Sequence, residues 1–208
     1  MPREEQVLVI ERKVLEQVGM FQGLTFDVER YLREFFVQGV PRFMPRSQVE
    51  ENPAYKQLIP YVLMSYQDKY LSYVRGRRAG EARLVGNRSI GIGGHINPAD
   101  DMPLFDTDFY ETYLTAVKRE VAEEVSVETS HTDSIVALLN DESNEVGSVH
   151  LGIVHHWILN APKVSKREQM MTQMAFMTPA ELQEVRDTLE TWSGLCLTRL
   201  AEMTKNLS

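Results

Sequence analysis

The sequence predicts an α+β fold or a layered αβα sandwich, with strands interleaved with a few helices. Two observations lead there. Apolar, β-branched or aromatic runs bounded by turn residues recur along the chain, at Val7–Ile10, Leu58–Tyr66, Tyr70–Val74, Ile135–Leu139 and His150–Leu159. Phe26–Val37 and Phe109–Val125 instead repeat their apolar residues every three or four positions, the spacing of an amphipathic helix. Strands mixed with such helices bury their apolar faces by layering.

The elements follow in order. Val7-Leu8-Val9-Ile10 reads as a strand, and Phe26, Tyr31, Leu32, Phe35 and Phe36 cluster on one side of a helix. Residues 39–53 hold Pro41, Pro45 and Pro53 and read as irregular, so a boundary is placed near residue 58. Two strands then flank a turn at Gln67-Asp68-Lys69, and the basic loop Arg75-Gly76-Arg77-Arg78 leads to a run ending in Ile90-Gly91-Ile92-Gly93-Gly94-His95. Residues 97–108 are a polar loop with Asp100, Asp101, Asp106 and Asp108, expected to be solvated or, less simply, to bind a second ion. Asp141-Glu142-Ser143-Asn144-Glu145 is an acidic loop between strands. A single last helix follows Thr178-Pro179-Ala180-Glu181, where Thr178 caps, Pro179 takes the first helical position and Glu181 completes a capping box. Its Leu195 and Cys196 are expected in the core.

Composition bounds the function. The 208 residues carry a net charge of -8. An acidic chain has no general attraction for nucleic acid or anionic membrane, so any phosphate chemistry needs a local cation. Cys196 is the only cysteine, which excludes an internal disulfide and a cysteine-based metal site. The charged N-terminus lacks a signal-peptide apolar region, and no apolar run approaches the ~20 residues that span a bilayer. The expected compartment is the reducing cytoplasm.

The chemistry concentrates in Glu111–Val125, ETYLTAVKREVAEEV. Tyr110, Leu114, Val117, Val121 and Val125 are expected as its apolar stripe. Glu120, Glu123 and Glu124 fall on a neighbouring arc, because positions three and four apart share a face. Each like-charged pair costs about a few tenths of a kcal/mol, a cost that a hard divalent cation converts into a binding site. A solvated acidic face is the bland alternative. The spacing argues against it: Glu111, seven residues, then Arg119-Glu120-Val121-Ala122-Glu123-Glu124 resembles the Nudix box, E-x7-R-E-U-x-E-E with U aliphatic. Matching all five charged positions by chance is on the order of one in a thousand for this composition. Val127 matches the aliphatic residue that closes the motif. Two positions depart from it. Phe105 stands where the family has a glycine before the first glutamate, so residues 95–108 look like an insertion. Ser126 replaces the glycine after the helix, which implies a small strain or a different exit.

The resemblance implies a Nudix-type αβα sandwich over residues 59–208 with an N-terminal α/β extension, residues 1–58, packed on it. It implies Mg²⁺ (or Mn²⁺) held by Glu120, Glu124 and Glu123, with the Gly94 carbonyl as a further ligand, and Arg119 orienting the glutamates. Glu123 is also a candidate base, and Glu168 in the loop 163–169 is the other. The cation would neutralise phosphate charge and activate a water for attack on phosphorus. The reaction implied is cleavage of a phosphoanhydride bond in a small molecule such as a nucleoside-diphosphate-linked compound, with a catalytically weak ligand-binding or regulatory module as the alternative. The Gly-Gly-His-Ile-Asn segment and Lys56-Gln57-Leu58-Ile59-Pro60-Tyr61 are similar to a subgroup described as predicted phosphoesterases. Glu111 has a second reading, as partner of an Asp108 helix cap. Arg75, Arg77, Arg78 and Arg83 could grip phosphate or be solvated, and His95 could touch substrate or end a strand. Glu142 and Glu145 are weaker candidates for the base. His155 and His156, adjacent in a strand, must face opposite sides. The N-terminal segment could cover the core or reach the second subunit of a homodimer.

Overall fold

The computed structural model describes residues 4–76, 86–101, 107–167 and 171–205. The chain opens with β1 (Gln6–Glu11), α1 (Arg12–Gly19), β2 (Gly23–Thr25), α2 (Val28–Phe35), β3 (Arg42–Pro45) and α3 (Arg46–Val49). The long β4 (Tyr55–Tyr66), then β5 (Lys69–Arg75), β6 (Arg88–Ser89) and β7 (Gly91–Gly93) lead to α4 (Phe109–Glu124). After it come β8 (Val125–Val127), β9 (His131–Asn140), α5 (Glu145–Val149), β10 (His150–Leu159), β11 (Val164–Lys166) and β12 (Met171–Met177). The chain closes with α6 (Pro179–Glu184), α7 (Thr191–Thr198) and α8 (Leu200–Lys205). This is the expected α+β class. Hydrogen bonding orders the main sheet β12-β5-β4-β10-β9-β2, with β1 joined to β3 and β4 and a separate β8–β11 ribbon.

Two compact units share the chain. The first comprises Met1–Pro60, Gly93–Arg119 and Ala137–Ile153, and the second Tyr61–Ile92, Glu120–Val136 and Val154–Ser208. Strand β4 runs without interruption through residue 58.

In the first unit, β1 lies antiparallel to β3 and to β4, with Leu8 opposite Phe43 and Val9 opposite both Arg42 and Gln57. A strand flanked on both edges can be apolar throughout, and Val7, Leu8, Val9 and Ile10 are fully buried. The expectation of an irregular 39–53 fails because β3 is an edge strand. Its Pro45 needs no partner for a missing N–H there. Helix α2 buries Tyr31 and Phe35, and the Tyr31 hydroxyl donates to the Gly19 carbonyl at 2.7 Å. Lys56 is fully buried in β4 and donates to Glu142 Oε1 at 2.6 Å and to the Gly147 carbonyl at 3.0 Å. Arg12 reaches the other Glu142 oxygen at 2.9 Å. Glu142 is therefore a structural anion; its pKa is held low because hydrogen bonds from Lys56 and Arg12 outweigh the upward pull of burial.

In the second unit, β4 and β5 form a hairpin pairing Ser65 with Tyr70 and Tyr66 with Lys69, closed by Gln67 at φ 55°. Strand β5 also pairs with β6 and, through a bulge, with β12. A buried polar knot ties Tyr61 to the C-terminal helices: its hydroxyl donates to Glu190 Oε1 at 2.6 Å and lies 2.7 Å from Ser193 Oγ. Gly91 is required here, since a Cβ would sit 2.2 Å from Tyr61 Cζ. The capping box of Thr178 and Glu181 forms as the sequence demands. The single last helix does not. It breaks after Glu184 and restarts because Glu190 caps α7 at the Trp192 amide, so the apolar run 191–203 packs as two short helices. His155 and His156 are both buried, bonded respectively to Asp133 Oδ1 and Ser65 Oγ, each at 2.7 Å.

Candidate active site

Helix α4 carries the glutamates, and its start is fixed locally. Asp108 Oδ1 accepts from the Tyr110 amide at 2.9 Å and the Glu111 amide at 3.2 Å. That makes Asp108 the cap of an exposed N-terminus, with Glu111 itself exposed in the first turn. The buried face keeps Val117, Val121 and Val125 of the expected stripe, but its first turns are held by Tyr113 and Ala116 in place of Tyr110 and Leu114. Tyr113, Ala116, Val117 and Val121 are buried, whereas Tyr110 is 37% exposed. Phe36 packs on both rings, its centroid 5.3 Å from that of Tyr110 and 5.6 Å from that of Tyr113, and Tyr113 is the one that is fully buried. On the polar side, Glu120 and Glu124 are half-buried one turn apart and Glu123 is exposed.

The helix exit resolves the replacement of glycine by Ser126. No left-handed residue is needed, because α4 passes directly into β8 and Ser126 pairs with Ser165 of β11. This ribbon brings Arg167, the residue after β11, to the glutamate end of the helix. The Arg167 amide donates to the Glu124 carbonyl at 2.9 Å, and its guanidinium donates to the Ala122 carbonyl at 2.8 Å. Glu168 is the next residue and lies outside the described residues, as do Arg77, Arg78, Arg83, Phe105 and Asp106.

Arg119 is held on the preceding turn. Its Nε donates to Asp100 Oδ1 at 2.6 Å, and its Nη2 donates to Asp100 Oδ2 at 2.9 Å and to the His95 carbonyl at 2.9 Å. The solvated-loop expectation for Asp100 is corrected: it is 2% exposed and also accepts the Asn97 amide at 2.9 Å. The signal was present in Asn97-Pro98-Ala99-Asp100, a capping box that folds a short 3-10 turn and turns the carboxylate inward. Gly94 precedes His95 in the irregular segment after β7, so the Arg119 contact fixes the backbone beside it. Burial pushes the His95 imidazole pKa down to about 3, helped by Arg46 and His150, and the ring is neutral.

Arg75 ends β5 with its guanidinium 5.6 Å from the Tyr73 ring centroid and its Nε buried without a hydrogen-bond partner among the described residues. Burial pulls its pKa down, but Tyr73, Glu124 and Glu190 outweigh this and raise it. A guanidinium kept charged beside Glu124, with an unused donor, suits an anionic ligand. The donor chemistry of the helix, carboxylates at i, i+3 and i+4, suits a hard divalent cation.

Comparisons with known proteins agree with this frame. No protein-family model matches the chain. It is 31% identical over 198 residues to Protein YmaB of Bacillus subtilis, covering 91% of this chain and 94% of that one. The crystal structure of Tm1382, a candidate Nudix hydrolase, superimposes with a TM-score of 0.76 at 27% identity, over 98% of this chain and 100% of that one. The Nudix domain of Shewanella oneidensis NrtR, in complex with ADP-ribose, gives 0.52 at 13% identity, over 74% of this chain and 89% of that one. A MutT protein from Methanosarcina mazei gives 0.52 at 19% identity, over 71% and 94%. With its glutamate box on one helix and a frame matched from end to end by such a structure, the chain has the Nudix superfamily fold, and it belongs to one family with Protein YmaB.

Proposed function

We propose that the protein is a hydrolase that cleaves the phosphoanhydride bond of a small diphosphate compound, with Mg²⁺ or Mn²⁺ held by Glu120, Glu123 and Glu124. The observation that carries this reading is the half-buried pair Glu120 and Glu124, one helical turn apart, with the charged Arg75 in the field of Glu124. When bound, the cation supplies charge neutralisation at phosphorus and activation of water. The chain's own groups do the rest. Arg75 grips a phosphate oxygen through its unused Nε–H. Asp100 fixes Arg119 on the turn that precedes the ligands, so the register of the glutamates is set before substrate arrives. Arg167 is pinned to the Glu124 and Ala122 carbonyls, and Glu168, the residue that follows it in sequence, is our candidate base. Glu142 is spent on Lys56 and Arg12 and is no rival. No helix among the described residues is long and apolar enough to cross a membrane, and we place the enzyme in the cytoplasm.

The test is release of phosphate or nucleoside monophosphate from a panel of diphosphate compounds with Mg²⁺ or Mn²⁺. ADP-ribose heads the panel because the NrtR domain binds it. Glu124→Gln should lower kcat/KM by about 10²-fold or more, as loss of an electrostatic catalytic group does. Hydrolysis by that variant at the parent rate would refute the ligand assignment, and tight ADP-ribose binding without turnover would replace the hydrolase by a ligand-binding module.

A further inference from the structure

We infer that Glu50, His95 and His150 form a second cation site, one that takes a single zinc-class divalent ion through two imidazole nitrogens and a carboxylate oxygen. One ligand atom from each lies within 4.8 Å of the others. The residues are remote in sequence: Glu50 closes α3, His95 follows β7 and His150 opens β10. All three belong to the first unit.

The hydrogen bonds around the triad fix the tautomer of one ring and leave a buried nitrogen of the other unsatisfied. His150 Nδ1 lies 2.7 Å from the Val146 carbonyl, which can only accept. The ring proton therefore sits on Nδ1, and Nε2 keeps its lone pair, the arrangement in which a backbone carbonyl fixes the tautomer of a ligating histidine. His95 Nε2 is buried with no hydrogen-bond partner among the described residues. A buried imidazole nitrogen left unsatisfied in an otherwise ordered cluster requires an explanation, and a cation supplies one. Glu50 is oriented by Arg46, whose Nε donates to Oε2 at 2.9 Å and Nη2 to Oε1 at 3.5 Å. Arg46 is answered in turn by Glu5 at 3.1 Å, and the other Glu5 oxygen lies 3.7 Å from His95 Nδ1. Two carboxylates against one guanidinium leave these groups with a net negative charge, which a divalent cation offsets.

The donor set selects the metal. Two imidazoles and one carboxylate suit zinc and its neighbours, whereas Mg²⁺ demands oxygen and keeps its waters. A tetrahedral zinc would hold its ligand atoms about 3.3 Å apart, so small side-chain adjustments close the site. Three protein ligands leave a fourth position open to water or a ligand atom. The glutamates of α4 offer oxygen alone, so the two sites differ in the ions they prefer. The inference does not depend on the proposed hydrolysis.

The experiment is titration of chelator-treated full-length protein with Co²⁺ in excess Mg²⁺, read by visible absorbance, followed by Zn²⁺ displacement and metal analysis. We expect a ligand-field band of low-coordinate, nitrogen-bound cobalt, about one zinc retained per chain, and a rise in Tm of roughly 5–10 °C at saturating zinc. His95→Gln and His150→Gln should each abolish the band. Glu50→Gln, which retains an oxygen within reach of Arg46, should weaken binding about 10–100-fold while the fold stays intact by circular dichroism. Glu124→Gln should leave the band unchanged. Failure of the parent to retain zinc, a band that survives both histidine substitutions together, or a band lost in Glu124→Gln would overturn the assignment.

Discussion

Acidification from pH 8 to pH 5 should destabilise the protein through His156, and the structure sets the size of the effect. The His156 side chain is 2% exposed on β10, with Nε2 2.7 Å from Ser65 Oγ and its ring stacked on Tyr70 at 5.7 Å. Its Nδ1 is buried and has no hydrogen-bond partner among the described residues. Protonation would place a second N–H in that position with no acceptor, and burial lowers the pKa from 6.5 to about 4. The unfolded chain therefore takes up the proton first. Stability is complete above the unfolded value near 6.5 and is lost as pH falls toward 4. With those two values, linkage gives a loss of about 2 kcal/mol between pH 8 and pH 5, or roughly 4–8 °C in Tm for a chain of this size. Other groups titrate in the same range, so the measurement is a difference. Urea unfolding of the parent and of His156→Gln, which can still reach Ser65 but does not titrate, is followed at pH 8, 7, 6 and 5. The variant starts less stable, and its curve should be flatter by about 2 kcal/mol across the range. Parallel curves would refute the claim that this imidazole is kept neutral by its surroundings.

Two further predictions concern stability around the site. Asp100→Asn removes the carboxylate that binds Arg119 through two hydrogen bonds. It should cost about 2–3 kcal/mol in urea unfolding, less than a fully buried pair because Arg119 is 25% exposed; a loss under about 0.5 kcal/mol, the range of ordinary surface changes, would show the pair to be incidental. Gly91→Ala drives a methyl group into the Tyr61 ring, which cannot swing aside without breaking its bonds to Glu190 and Ser193. A loss of about 3 kcal/mol or more is expected, and a thermal melt superimposable on the parent's would mean that the ring and the glycine are not in contact.

How much of this was legible in the sequence depended on how local the physics was. The Asp108 cap, the Thr178–Glu181 capping box, the β4–β5 hairpin turn and the glutamate spacing on α4 are set within a few residues, and each stands as read. Strand β3 was hidden because a proline reads as a break, and only the partner strand β1 shows that its edge position tolerates one. The last helix was drawn too long because its apolar content is continuous, while the break depends on Glu190 being captured by Tyr61 and Ser193, far away in sequence or across a turn. The first turn of the α4 stripe is not legible because Tyr110 and Tyr113 are equally apolar on paper; both rings meet Phe36, and only tertiary packing leaves Tyr113 buried and Tyr110 exposed.

The same distinction bears on chemistry. A metal site built on one helix announces itself, since a 3.6-residue repeat brings its ligands together whatever the rest of the chain does. A site assembled from Glu50, His95 and His150 leaves no such mark, because each ligand comes from a different element and tertiary packing alone sets their separation. Asp100 shows the consequence at the box itself. As one of four aspartates in a polar loop it carried no distinguishing pattern beyond its cap, yet it is the buried anion that holds Arg119 on the turn preceding the glutamates. Variation in residues 95–100 should therefore alter both the set of Arg119 and the position of the His95 ring, since the residue whose carbonyl accepts from Arg119 also carries that ring.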